Sequence, residues 1–195
     1  MVGFLHPINY IRAGLGQNLR LLVFWLLLMV PVAVMAAPVL RPVVMPLGDG
    51  PDRMATGAAR MTDAILEFTR WPTARPVVQL CVAGVADHAG QLDSITLSNG
   101  AQIQVTRLSD PGGATRCDAL YIGRMAALDN RHLLGMVRDA AVVTIAEADA
   151  DCRSGAMFCL MFAPDTLNFQ LNIDAVSRST VRIDPRVLRL SKGGY

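Results

Sequence analysis

The chain has 195 residues, of which 52% are apolar and 17% charged, with a formal net charge of +2. That is enough apolar material for a full hydrophobic core, and there is no repeat or low-complexity tract. Arg12 and Arg20 account for the excess charge: beyond them, 18 − 2 = 16 basic residues face 16 acidic ones. A neutral domain argues against nucleic acid as a partner, since phosphate neutralisation needs a basic surface.

Arg12 and Arg20 precede an almost unbroken apolar run from Leu21 to Ala37, no Asp or Glu occurs before Asp49, and small residues close the run. A basic start, an apolar middle and a small-residue end are the layout of a secretory signal peptide, read here over residues 1–36 with cleavage after Ala36. The competing reading is an uncleaved anchor, but the run contains Pro31 and falls short of the roughly 20 residues a span needs. Residues 37–51 hold Pro38, Pro42, Pro46 and Pro51 with Gly48 and Gly50, a linker or irregular arm. One domain is expected over 52–191, and 192–195 read as a mobile tail.

Asp52 is placed to cap a helix in which Met54, Ala58, Met61, Ile65 and Phe68 form one apolar face. Pro72 stops it by Trp71. Val77 to Val82 reads as a buried strand, Ala89 to Leu97 as a short helix, and Asn99-Gly100 as a turn. Ile103 and Val105 alternate with polar residues, as in a half-exposed strand. Ala119 to Ile122 is a third strand, Met125 to Arg138 a helix, and Val142 to Ile145 a fourth, central strand. Met157–Phe162 and Thr166–Asn172 flank Ala163-Pro164-Asp165 as an antiparallel hairpin. Asp174–Ser179 is a short helix or turn, and Asp184-Pro185 opens a last helix. The order predicts an α/β fold: a mostly parallel central sheet flanked by helices, with a C-terminal antiparallel hairpin.

All four cysteines, Cys81, Cys117, Cys152 and Cys159, follow the leader, and an even count in an exported chain reads as two disulfides. Four cysteines permit three pairings and spacing alone does not choose. Proximity favours Cys152–Cys159, which leaves Cys81–Cys117. No Cys-x-x-Cys motif occurs, so the bridges read as structural, with the short one a candidate redox-sensitive latch.

Catalytic signatures are sparse. His88 and His132 lack metal-ligand spacing, and no nucleophile elbow, phosphate loop or dinucleotide fingerprint is found. Gly112-Gly113 and Gly123 read as turns. Glu147, Asp149 and Asp151 cluster, but their alternation with alanine at a strand end looks like a solvated loop. No catalytic residue, cofactor or metal is assigned. In Met157–Phe162 both alternating sets are apolar, so a helix or a partner must cover the second side.

Several blocks, in order, resemble the YfiR family: Ile65-Leu66-Glu67-Phe68-Thr69-Arg70-Trp71-Pro72, Leu80-Cys81-Val82-Ala83-Gly84 and Cys117-Asp118-Ala119-Leu120-Tyr121-Ile122-Gly123. Gly155-Ala156-Met157-Phe158-Cys159-Leu160, the run from Phe169 to Ser179 and Val187-Leu188-Arg189-Leu190 complete the match, over roughly residues 60–190. The resemblance implies a periplasmic repressor that binds the sensor domain of an inner-membrane diguanylate cyclase of the YfiN type. It implies an outer-membrane lipoprotein of the YfiB type as a second partner, control of cyclic-di-GMP and biofilm formation, and bridges joining the first two and the last two cysteines. It places the cyclase contact in the C-terminal block, with Phe158, Gln170 and Val176 as candidates. For Phe158 a core position is an equal alternative. A homodimer is compatible with this reading. The rival classes are a periplasmic small-molecule-binding module and an exported enzyme of unknown reaction.

Overall fold

The computed structural model describes residues 45–191, within a unit that runs from Arg41 to Tyr195. The leader, the arm up to residue 44 and the tail 192–195 lie outside the described residues.

Seven strands form one sheet: β1 (Met45–Pro46), β3 (Val77–Ala83), β4 (Gln102–Arg107), β5 (Ala119–Ile122), β6 (Val143–Ala146), β7 (Phe158–Phe162) and β8 (Thr166–Leu171). Their spatial order is β1-β8-β7-β6-β5-β3-β4. The five from β4 to β7 are parallel, and β8 and β1 add to the β7 edge in antiparallel fashion. A separate antiparallel pair joins β2 (Thr69–Arg70) to β9 (Arg182–Ile183). The mostly parallel sheet and the C-terminal hairpin are those the sequence predicts.

Strand alternation splits the core into two layers. Val78, Leu80 and Val82 of β3, Tyr121 of β5, Ile145 of β6 and Phe158 and Leu160 of β7 face helix α1 (Arg53–Glu67). Cys81, Ala83, Leu120, Ile122, Ala146 and Cys159 face helix α2 (Ala127–Val137). Apolar residues on both strand faces are what a parallel sheet sandwiched between helices requires. Helix α1 forms as its spacing predicts: Ala58, Met61 and Ile65 are buried, and Asp52 Oδ1 accepts from Ala55 N at 3.1 Å.

Two local readings need correction. Ala89–Ser94 is a single 3-10 segment rather than a helix reaching Leu97, and it buries only Ala89 and Leu92. Gly123 is not a free turn but a buried crossing point: a Cβ there would collide with the Val85 carbonyl, which accepts from Arg124 N at 2.8 Å, while Gly123 N donates to the Ala83 carbonyl at 2.9 Å. The arm, too, is partly built in. Met45–Pro46 pairs with β8, and Leu47 is 1% exposed, packed over Gly57 where a Cβ would meet its Cδ2. The last two elements follow Asp184-Pro185 as expected: a 3-10 turn Pro185–Val187 capped by Asp184 Oδ1, then the one-turn helix α4 (Leu188–Ser191).

Candidate docking surface

The C-terminal edge is assembled by the hairpin and the loop before it. Cys159 pairs across β7–β8 with Gln170, and Phe158 with Leu171. Helix α3 (Ile173–Arg178) follows at once, its Asn172 side chain accepting from Ala175 N at 3.0 Å. Asn172 N donates to the Met157 carbonyl at 2.8 Å, which ties the start of α3 to the start of β7. No residue of α3 is buried; Ile173 is 74% exposed.

Of the three contact candidates, Gln170 is exposed and Val176 half-buried, packed beside the α1 core layer. Phe158 is fully buried in that layer and stands edge-on to Phe169 with ring centroids 5.4 Å apart. In this fold it offers a partner nothing to touch. It belongs to the core because β7 is covered on both faces, by the α1 layer over Phe158 and the α2 layer over Cys159. Ile173 is the surface residue that strand alternation did not point to. Its signal is an apolar side chain just after a capping Asn, at the start of a helix too short to bury it.

Both expected disulfides are formed. Cys81–Cys117 fastens the 3-10 segment Pro111–Arg116 to β3 within the α2 layer. Cys152–Cys159 closes the β6–β7 loop beneath Gln170, with Cys152 Sγ 3.8 Å from the Gln170 carbonyl. Cys152 has φ 50, the single non-glycine residue with positive φ among the described residues. Such a conformation costs on the order of 1–2 kcal/mol, and the bridge helps to hold it.

The three clustered carboxylates do not converge. Glu147 is 8% exposed and bound to structure: it accepts from the backbone N–H of Asp87, from His88 N at 3.0 Å and from Tyr121 Oη at 2.9 Å. The solvated-loop reading is therefore wrong for Glu147, which anchors the segment after β3. Burial, and then the Glu147 carboxylate, push the Tyr121 hydroxyl far up, so it stays a protonated donor. Asp149 instead accepts from Arg153 N at 3.0 Å and Ser154 N at 2.8 Å. Burial opposes its charge, but the hydrogen bonds from Ser154 and Arg153 outweigh burial and hold its carboxyl below the ordinary carboxylate range. Its Oδ2 lies 3.6 Å from Cys159 Sγ, a contact rather than a hydrogen bond because a bridged sulfur carries no proton. Asp151 is exposed.

Asp149, Cys152 and Cys159 bring metal-ligand atom types within 4.8 Å of one another, but both sulfurs are committed to the bridge. His88 packs against Phe162 with ring centroids 4.3 Å apart and planes tilted by 43°, and His132 lies exposed on α2. These are packed and solvated roles respectively.

The model of the family described as DUF4154, YfiR/HmsC-like, matches residues 58–192. The chain belongs to the YfiR/HmsC-like family. The match runs from within α1 to the end of α4, so it takes in both bridges and the C-terminal hairpin with α3. The YfiR/HmsC-like proteins are a regulatory rather than a catalytic family of periplasmic type, and the two disulfides fit an oxidising compartment. Among solved structures, the ureidoglycine-glyoxylate aminotransferase (pucG) from Bacillus subtilis is similar at 9% identity and a TM-score of 0.36. The match covers 76% of this chain and 40% of that one, and a likeness so slight carries no argument about fold or activity.

Proposed function

We propose that this YfiR/HmsC-like chain is a periplasmic repressor that binds the sensor domain of an inner-membrane diguanylate cyclase of the YfiN type. Binding holds the cyclase inactive and lowers cyclic-di-GMP and biofilm formation. A lipoprotein of the YfiB type in the outer membrane is the proposed competitor that takes the repressor away.

One observation carries the choice of surface. Exposed Gln170, at the end of β8 beside the Cys152–Cys159 bridge, is followed at once by a helix with no buried residue that carries exposed Ile173 and half-buried Val176. An apolar side chain 74% exposed at such a place is available to fill a partner's pocket. The bridge restrains the backbone at the neighbouring Gln170 and reduces the ordering entropy lost on binding. Opening the bridge is the proposed route to redox sensitivity.

The test is genetic. In a host carrying a matching cyclase, deletion of the gene is expected to raise cyclic-di-GMP and surface attachment. An unchanged nucleotide level in that host would refute repression. Substituting His88 or His132 by alanine is expected to leave repression intact.

A further inference from the structure

We propose that the cavity between α2, the disulfide loop and α3 binds a small organic anion with an apolar body, of the class of aryl or short-chain carboxylates. This inference stands independently of the docking reading. It rests on three features of one cavity.

The first is charge. Arg131 and Arg138 of α2 and Arg178 of α3 line the opening, and no carboxylate among the described residues lines it with them. Arg178 is paired with Asp174, and Arg131 Nε donates to the Ala127 carbonyl at 3.3 Å. The Arg138 guanidinium has no ion pair or hydrogen bond among the described residues. Guanidinium forks match a carboxylate with two parallel N–H donors.

The second feature is the floor. Leu134, Val137 and Met157 are buried there. A bare inorganic anion would leave this surface uncovered, whereas an apolar body covers it. The cavity encloses about 180 Å³. That is below the ~300 Å³ at which drug-sized pockets begin, and close to the roughly 150 Å³ that accepts a benzene ring.

The third feature is Gly135, in the last turns of α2. Glycine inside a helix is less stable than alanine, and it is normally explained by a neighbour that would clash with a Cβ. Here a Cβ would meet nothing within 4 Å, and Gly135 is an exposed residue on the rim of this cavity. A larger side chain on this rim can reach over the cavity. The same fact supplies the test, because a Cβ is accommodated here without a clash and a leucine can extend over the opening.

The experiment titrates the purified protein with benzoate at low ionic strength, followed by NMR or calorimetry, with benzamide and inorganic phosphate as comparison probes. Saturable binding of benzoate is expected, about tenfold or more weaker for benzamide and for phosphate, each of which lacks half of the recognition. Arg138→Glu is expected to weaken benzoate about tenfold, and Gly135→Leu to abolish binding with the circular dichroism unchanged. Arg138 is exposed, so its variant reports on binding even where the leucine variant folds poorly. No saturable binding by the wild-type protein overturns the proposal. So does binding that survives both substitutions, and so does phosphate binding as tightly as benzoate.

Discussion

Cys81–Cys117 and Cys152–Cys159 have nearly equal Cα separations, 5.9 and 5.5 Å, yet they hold different kinds of structure. The first joins residues 36 apart in sequence, both nearly buried within the α2 layer, and welds a 3-10 segment to a central strand. The second joins residues 7 apart at an edge, with Cys159 buried and Cys152 half-exposed in a left-handed conformation beside Asp149. One bridge reinforces packing that already exists. The other holds a loop in a shape its own backbone disfavours, beside Gln170 at the proposed docking edge. Opening a bridge of the second kind is expected to disturb the fold less than opening one of the first kind.

The largest effects are expected in the core. Phe158→Ala should cost about 3–5 kcal/mol in denaturant unfolding, since it empties a fully buried ring site on β7. A cost within ~0.5 kcal/mol would return Phe158 to the surface. Replacing Cys81 and Cys117 together by alanine is expected to cost about 4 kcal/mol on the chain-entropy model. The same double change at Cys152 and Cys159 should cost about 2.5 kcal/mol or less, because its loop is shorter and the strained Cys152 relaxes. If the short bridge proved the costlier to remove, the contrast between the two would fail.

Asp149 sharpens the contrast further. A reductant reaches half-exposed Cys152 more readily than buried Cys159, so the Cys159 thiolate is the leaving group, and it would form 3.6 Å from the Asp149 carboxylate. Asp149→Asn is therefore expected to speed reduction of the short bridge by dithiothreitol, read by thiol labelling and mass spectrometry, with Cys81–Cys117 unchanged. Equal rates in the two proteins would show that the carboxylate does not guard the sulfur. The smallest effect is in pH. The folded carboxyl of Asp149 lies below its unfolded value of about 3.9, so its stabilisation is fully present above that pH and is lost as pH falls through the folded pKa. Asp149→Asn should flatten that acid limb slightly in a stability-versus-pH series.

Strands were legible in the sequence wherever both faces are covered. Ala119 to Ile122 reads as β5 because every residue is buried, and the continuous apolar pattern says so. Helix α1 was equally plain, since its buried residues keep a helical period. Glu147 was not: its partners, Tyr121 and the Asp87–His88 backbone, are 26 to 60 residues away, so its local sequence shows only an acidic run. Phe158 was ambiguous for a related reason. An apolar strand near the end of a chain reads the same whether a helix or a partner covers it, and only the packing of α1 decides. Ile173 needed the length of α3, which no periodicity in six residues can define. The cavity beside Gly135 was invisible because it lies between α2 and segments near residues 155 and 175.

The most direct test of the docking edge is the affinity of the purified protein for the isolated periplasmic sensor domain of a YfiN-type cyclase, wild type against Ile173→Asp and Gln170→Arg. Both positions are exposed, so melting temperatures should stay within a degree or two of wild type. Tight binding by the wild-type protein, weakened about tenfold or more by Ile173→Asp and to a lesser degree by Gln170→Arg, is the expected result. Unchanged affinity in both folded variants would contradict the assignment of this edge, and no binding by the wild-type protein would contradict the cyclase as partner.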